Sequence, residues 1–290
     1  MNRKDPTMEQ IAELMNELDA YHHRTVVIKI GGNSIAEDEH FLGNIAKQVK
    51  FLRANGVRVI LIHGGGPQID NALRAKKIEF VKGADGRRIT SPKAMRIVRT
   101  VMNEINKSVV QALIDEGCRK DKILCAARHA KYFVQAEPLD PEDDHNRSGK
   151  PGPVAEQDLN RLLDEGRIVV LHSVGVGKDG KTFYNINGDD YAMAVAIAVA
   201  AKRLILVTNV AGVLDKQRQR IPAIDQDMAD QLIAEGIITG GMLPKVESAL
   251  WVVKQGVGGV AIIDGFRPWA ILAELLTYEG FGTLFQARVG

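Results

Sequence analysis

Few of the features that mark out common function classes are present in this chain. Two cysteines, Cys118 and Cys125, stand among 290 residues. They are too few for a disulfide framework and have no metal-ligand spacing. That usage fits a reducing compartment, and a cytoplasmic location is expected. Aromatic residues make up 5%, too little for a base-stacking surface. The 38 basic residues are matched by 36 acidic ones, a formal net charge of +2, which leaves no electrostatic footprint for nucleic acid. No run of about 18 apolar residues occurs, so no membrane span is expected. The most apolar stretch, 192–207, is broken by Lys202 and Arg203. The opening residues, MNRKDPTMEQ, lack the apolar core of a signal peptide. The sequence also has no Walker loop, no GxGxxG after its first strand-like run, no metal triad, no Ser/His/Asp order and no internal repeat.

What is present suffices for a large α/β domain or two lobes, since 45% of residues are hydrophobic. Residues 26–33, VVIKIGGN, are the centre of the pattern. β-Branched residues run into Lys29, then into Gly31 and Gly32. A lysine inside an apolar strand is costly to bury without a partner. Followed by bare backbone amides, it is placed to cradle phosphate oxygens.

Ahead of it, 7–21 has helical spacing, with Ile11, Leu14, Met15 and Leu18 on one face. Thr7 is the expected N-cap, with Gln10 as its capping-box partner. This helix is expected to pack on the body or on another subunit. After a polar link comes a helix over 41–54, stopped by Asn55-Gly56. Residues 57–62 form a strand that ends in His63-Gly64-Gly65-Gly66-Pro67 and leads into a helix from Gln68. Strand, glycine loop and helix together present amides to an anion. His63 is given no role beyond packing or capping. Residues 78–90 read as a hairpin turning at Asp85-Gly86, with Arg88 on its return strand, placed to clamp a carboxylate. A long helix is expected over 92–116, two short strands within 121–135, and a surface loop over 137–152. A helix over 158–165 and a strand over 167–174 follow.

Residues 184–190, YNINGDD, crowd polar groups before an Ala-rich helix over 191–201. Asn185, Asn187 and Asp189 share one side if extended, and Asp189 is also placed to cap the helix. Then come a strand over 204–208, a turn over 209–214, and a helix over 226–234. Lys245 follows a glycine pair in the first turn of a helix running to 255. A cation there opposes the helix dipole unless an anion is bound. A last central strand over 259–264 and a helix over 268–276 close the chain. The alternation predicts an α/β fold with a mainly parallel sheet covered on both faces, with ligands at the carboxyl ends of the strands. Two glycine-backed lysines, an aspartate and no evident base fit phosphoryl transfer, which needs alignment and positive charge more than covalent help.

The motifs KIGGN, HGGGP, RxT at Arg88–Thr90, NKxxV from Asn106, NING-D, TxVxGVL from Thr208, GGMxPKVE-A and TxEGxGT from Thr277 occur in that order. Together they resemble the amino-acid kinase family over about 25–285, and most closely its branch acting on N-acetylglutamate. The resemblance implies a three-layer αβα sandwich with a central, mainly parallel sheet, an N-lobe over 25–180 for the acceptor and for dimerisation, and a C-lobe over 181–290 for ATP, with residues 1–24 as a separate helix. It implies transfer of the γ-phosphoryl group of ATP to a side-chain carboxylate, as in arginine biosynthesis. Lys29 and Lys245 match the family's transition-state lysines, and Asp189 the aspartate that orients them. Gly65, Gly66, Arg88 and Asn185 match acceptor contacts. Gly31, Gly32, Asn209, Gly212, Val213, Leu214, Ile237, Ile238 and Thr239 match nucleotide contacts. Mg2+ is expected on the nucleotide phosphates, with no protein metal site. A homodimer is implied, and a hexamer through the first helix is a further option.

The chain departs from the family at several places, among them a lid hairpin longer by the Asp85-Gly86 turn and an atypical loop over 137–152. Residues 124–131 read LCAARHAK where the family has LSGxDG, Asn209 replaces an aspartate, and Trp269 stands where arginine-inhibited members have histidine. Two other readings stay open: a paralogue acting on another N-blocked acidic amino acid, and a catalytically weak regulatory protein on the same fold.

Overall fold

The computed structural model describes residues 8–83, 86–129, 132–278 and 280–288. Thr7, Asp85 and the end of the 124–131 segment lie outside the described residues, as do Glu279 of TxEGxGT and the Gln10 side chain. In chain order the strands are β1 (Thr25–Ile30), β2 (Arg58–His63), β3 (Val81–Lys82), β4 (Arg88–Ile89), β5 (Ile123–Cys125), β6 (Val134–Pro138), β7 (Ser148–Val154), β8 (Ile168–His172), β9 (Val174–Val176), β10 (Phe183–Ile186), β11 (Arg203–Thr208), β12 (Ala223–Ile224), β13 (Val260–Asp264) and β14 (Thr283–Phe285).

Eight of them make one sheet in the order β12-β14-β13-β11-β1-β2-β8-β5. Its centre is parallel, and β14 returns antiparallel to β13. Parallel strands covered on both faces bury both sides, hence the near-continuous apolar runs. Alternate residues then feed two separate cores. Val27, Ile60, Ile62, Leu204, Leu206 and Ile262 face the helices Gly188–Ala198 and Leu243–Lys254. Val26, Ile28, Val59, Leu61, Ile205 and Ile263 face the helices Phe41–Ala54 and Pro92–Asp115. Lys29 shares the parity of Val27. It therefore emerges on the face covered by the helices that begin near Asp189 and Lys245.

Several expectations are corrected. The polar link after VVIKIGGN contains a short helix, Gly32–Glu37. The surface loop expected over 137–152 is narrowed to 139–147, its two ends being strands β6 and β7. These join β9 and β10 in a closed four-stranded barrel. Its Pro- and Gly-rich strand β7 shows no alternation because close approach, not apolar bulk, selects its residues. A Cβ on Gly149 would stand 2.7 Å from that of Tyr184. The strand expected over 167–174 is split into β8 and β9, and β14 adds a strand after the one expected to be last.

The helix expected over 191–201 runs Gly188–Ala198. Asn187, not Asp189, caps it, accepting from the Asp189 and Asp190 amides at 2.8 and 3.3 Å. The extended run expected to align Asn185, Asn187 and Asp189 therefore ends at Ile186. The hairpin is present, β3 pairing antiparallel with β4. In the first helix, Met8–Tyr21, only Leu18 of the expected apolar face packs on the body. Ile11, Leu14 and Met15 are exposed. The helix is anchored by buried Tyr21, whose phenol accepts from Arg203 at 2.9 Å.

Candidate active site

Register fixes where the loops emerge. Ile30 lies opposite His63 and Val207, and His63 opposite His172. The residues that follow (Gly31, Gly64, Ser173 and, past Thr208, Asn209) leave the sheet at the same carboxyl edge. There they border a cavity of about 320 Å³ that also reaches Arg88, Asn185, Asp189 and Lys245.

Lys29 Nζ lies 2.8 Å from Asp189 Oδ1. The lysine comes from β1, and the aspartate from the first turn of the helix beyond the barrel. Burial pushes the Asp189 carboxyl up, but the Lys29 ammonium beside it, aided by Lys245, outweighs this and holds it below the usual carboxylate range. The cost of burying Lys29 inside an apolar strand is offset by this partner. Lys245 lines the same cavity from the first turn of Leu243–Lys254.

The two glycine loops touch. The Gln68 amide donates to the Gly32 carbonyl at 2.9 Å, and Gly64 N–H donates to the Ile30 carbonyl at 3.1 Å. Gly65 and Gly66 then open the helix Gly66–Ala75 with their amides at the cavity edge.

Arg88 is buried on β4. Its Nη2 donates to Asp70 and, at 3.3 Å, to the Gly66 carbonyl. Lys82 reaches the other Asp70 oxygen at 2.8 Å. Burial again raises and the two cations more strongly lower the Asp70 carboxyl, which stays ionised. The pairing ties the hairpin to the helix behind the glycine loop. Asn185 Nδ2 donates to Thr90 Oγ1 at 3.2 Å, and the Ser148 hydroxyl donates to the Arg88 carbonyl at 2.6 Å. The barrel and the hairpin thus share one side of the cavity.

The structure brings together Lys29, Gly31, Gly32, Gly65, Gly66, Arg88, Asn185, Asp189, Asn209 and Lys245. It does not bring Gly212, Val213, Leu214, Ile237, Ile238 or Thr239 to that cavity. Val213 N–H donates to Thr283 Oγ1 at 2.8 Å, and Ile238 is buried in the core. The sequence reading did not single out Asp70, Lys82, Ser148 or Ser173. Asp70 left one signal: it is the sole acidic residue of GPQIDNALRA, the helix after HGGGP. With five cationic side chains (Lys29, Lys82, Arg87, Arg88 and Lys245) against Asp189 in its lining, the cavity suits a polyanion. Among the described residues no group of three or more His, Cys, Asp or Glu could hold a metal ion.

The family model described as "Amino acid kinase family" matches residues 24–264. The chain is 39% identical over 289 residues to the acetylglutamate kinase of Afipia carboxidovorans, covering 94% of this chain and 95% of that protein. It is 37% identical over 293 residues to that of Methylobacterium nodulans, covering 96% and 93%. Among solved structures, one from Streptococcus mutans is similar at TM-score 0.71 and 32% identity, covering 91% of this chain and 99% of that one. N-acetylglutamate synthase from Neisseria gonorrhoeae, complexed with coenzyme A and N-acetyl-glutamate, shares the fold at TM-score 0.82 and 21% identity. The match covers 99% of this chain but spans only 65% of the synthase.

Proposed function

The chain belongs to the amino acid kinase family, and from that premise we propose that it transfers the γ-phosphoryl group of ATP to the side-chain carboxylate of N-acetyl-L-glutamate. The observation that carries the reading is the 2.8 Å Lys29–Asp189 pair in a cavity that Lys245 and both glycine loops also line. A carboxylate oxygen attacks the γ-phosphorus, the bond to the β-phosphate bridging oxygen breaks, and ADP leaves. The acceptor is already ionised, so no base is required. This agrees with a cavity that offers cations and amides but no histidine.

Lys29 and Lys245 neutralise charge on the migrating group, and Asp189 holds Lys29 in place. The amides at Gly31, Gly32, Gly65 and Gly66 supply further donors. Arg88 and Asn185 are assigned to the acceptor, which residues 25–180 bind. Residues 181–290 bind ATP, with 209–214 and 237–239 on the nucleotide side. Mg2+ carried on the phosphates would spread their charge during transfer. A homodimer through the acceptor-binding half is proposed. The exposed Ile11, Leu14 and Met15 suit the first helix to a larger ring.

Acyl-phosphate trapping with hydroxylamine tests the reading, using ATP and magnesium. N-acetylglutamate is expected to give hydroxamate well above glutamate, N-acetylaspartate and N-acetyl-2-aminoadipate. Preference for another acceptor on the panel would replace the substrate and keep the chemistry. Silence across the panel, with ATP still bound, would point to the regulatory reading.

A further inference from the structure

His63, Asn106 and Cys125 fall outside the cavity lining, yet their side chains form a continuous hydrogen-bonded chain, buried at Asn106 and His63, that ends on the glycine loop. Asn106 comes from the long helix and is fully buried. Its Nδ2 donates to the Val170 carbonyl at 3.2 Å and lies 3.1 Å from His63 Nε2. Its Oδ1 accepts from the Ala127 amide at 3.1 Å and from Cys125 Sγ at 3.3 Å. These neighbours fix the amide orientation, because a carbonyl must meet a donor and an N–H an acceptor. Flipping Asn106 would set oxygen against oxygen at Val170 and N–H against N–H at Ala127. Its Nδ2 therefore faces His63, and His63 Nε2 must accept.

The proton of the neutral imidazole is then on Nδ1, which lies 3.0 Å from the Gly64 carbonyl. That carbonyl is drawn back into the core. A trans peptide is planar, so the Gly65 N–H on the same unit points the opposite way, toward the cavity. We propose that Asn106 and His63 are positioning residues that set the direction of the Gly65 amide, through the Nδ1–H tautomer that Asn106 imposes on His63. The inference rests on the kinase reading only for what that amide meets, the acceptor side of the reaction.

The tautomer is read without substrate, from long-range 1H–15N correlations of the imidazoles in the wild-type protein. His63 and His172 are the buried histidines among the described residues, and both stay neutral at pH 6–8. A neutral imidazole protonated on Nδ1 and lost in His63→Asn is expected. If neither buried ring carries its proton on Nδ1, the proposal is overturned, whatever the protein phosphorylates. Kinetics give the second test. The amide nitrogen of His63→Asn takes the place of Nδ1 and keeps the bond to Gly64; that of His63→Gln takes the place of Nε2 and loses it. His63→Gln is expected to raise the acceptor KM about tenfold, with the ATP KM little changed, the scale of one lost hydrogen bond. His63→Asn should stay within about threefold of wild type on the same scale. Equal losses in both variants, or the reverse order, would reduce His63 to packing. A wild type that forms no hydroxamate would instead refute the kinase reading and leave the tautomer result standing.

Discussion

Lys245 stands in the first turn of a helix, where the dipole disfavours a cation, and it has no strand to hold it. Its placement makes sense chiefly through the charge it meets during transfer. Lys245→Ala should therefore lower kcat by about 10²–10³-fold, as for loss of one transition-state donor, with a modest change in ADP affinity. Steady-state kinetics with calorimetric ADP titration would check this, and unchanged turnover would remove Lys245 from the mechanism. Both lysines and Asp189 were legible in the sequence because each breaks a local rule: a charge inside a strand, a cation at a helix start, an acid in a row of amides. Ser148 and Ser173 were not, because nothing local marks them and only the fold brings them to the cavity; Asp70 was marked only as the sole acid of its helix, and its pairing with Arg88 is made by the hairpin. The buried imidazoles lead to an expectation of another kind. Burial lowers His63 from its ordinary 6.5 to about 3 and His172 to about 4. Below pH 6.5 the unfolded chain takes up protons that the native state refuses, so stability must fall with falling pH. Each contributes a slope of about 1.4 kcal/mol per pH unit. His172 has no hydrogen-bond partner on another described residue, so an apolar side chain of similar size can replace it. His172→Leu should remove one such slope between pH 6 and 4.5 in urea unfolding; an unchanged slope would mean that His172 is protonated in the native state.

At the level of elements, the cavity depends on two glycine loops that meet backbone to backbone. A Cβ on Gly32 would stand 2.8 Å from the Gly66 nitrogen and 2.9 Å from the Gly65 Cα, with no flexible side chain to yield. One on Gly31 would meet nothing closer than 3.7 Å. Gly32→Ala should thus cost about 1–3 kcal/mol of stability, the scale of overpacking. Gly31→Ala should cost clearly less, as measured by denaturant unfolding at neutral pH. Equal losses would show that conformational freedom, rather than contact, selects glycine in this loop. The loops could be read from the sequence because each ends a strand whose apolar run is continuous. The barrel could not, since Ser148–Val154 reads SGKPGPV and carries neither alternation nor bulk. The first helix shows the opposite error. Its periodic apolar residues were legible as a face, but the body covers only its end, through Leu18 and Tyr21.

Across the whole molecule, the proposed division of function has no matching division in the sheet. A boundary near 180 separates the proposed acceptor-binding and ATP-binding parts, yet no layer of the fold stops there. β1 pairs with β11 on one side and β2 on the other, so a single sheet carries strands from both parts. β10 closes the barrel against β7 and β9, and Lys29 reaches across to Asp189. Cutting at 180 would expose the edges of β1 and β11, whose residues 204–207 are almost wholly buried. Each edge would offer unpaired amides and carbonyls to other chains. Fragments 1–180 and 181–290 expressed apart should therefore fail to give dispersed amide spectra and should aggregate. The intact chain should unfold by heat in one calorimetric transition, with van't Hoff and calorimetric enthalpies in agreement for each folded unit. A folded 181–290 fragment that binds ATP would show that the nucleotide part is a domain in its own right. The lysine–aspartate pair would then be a contact made on closure between two bodies. If the fragments fail and the single transition holds, the two substrates meet on one continuous sheet, and relative movement of the two parts must come from bending that sheet or from the loops at its carboxyl edge.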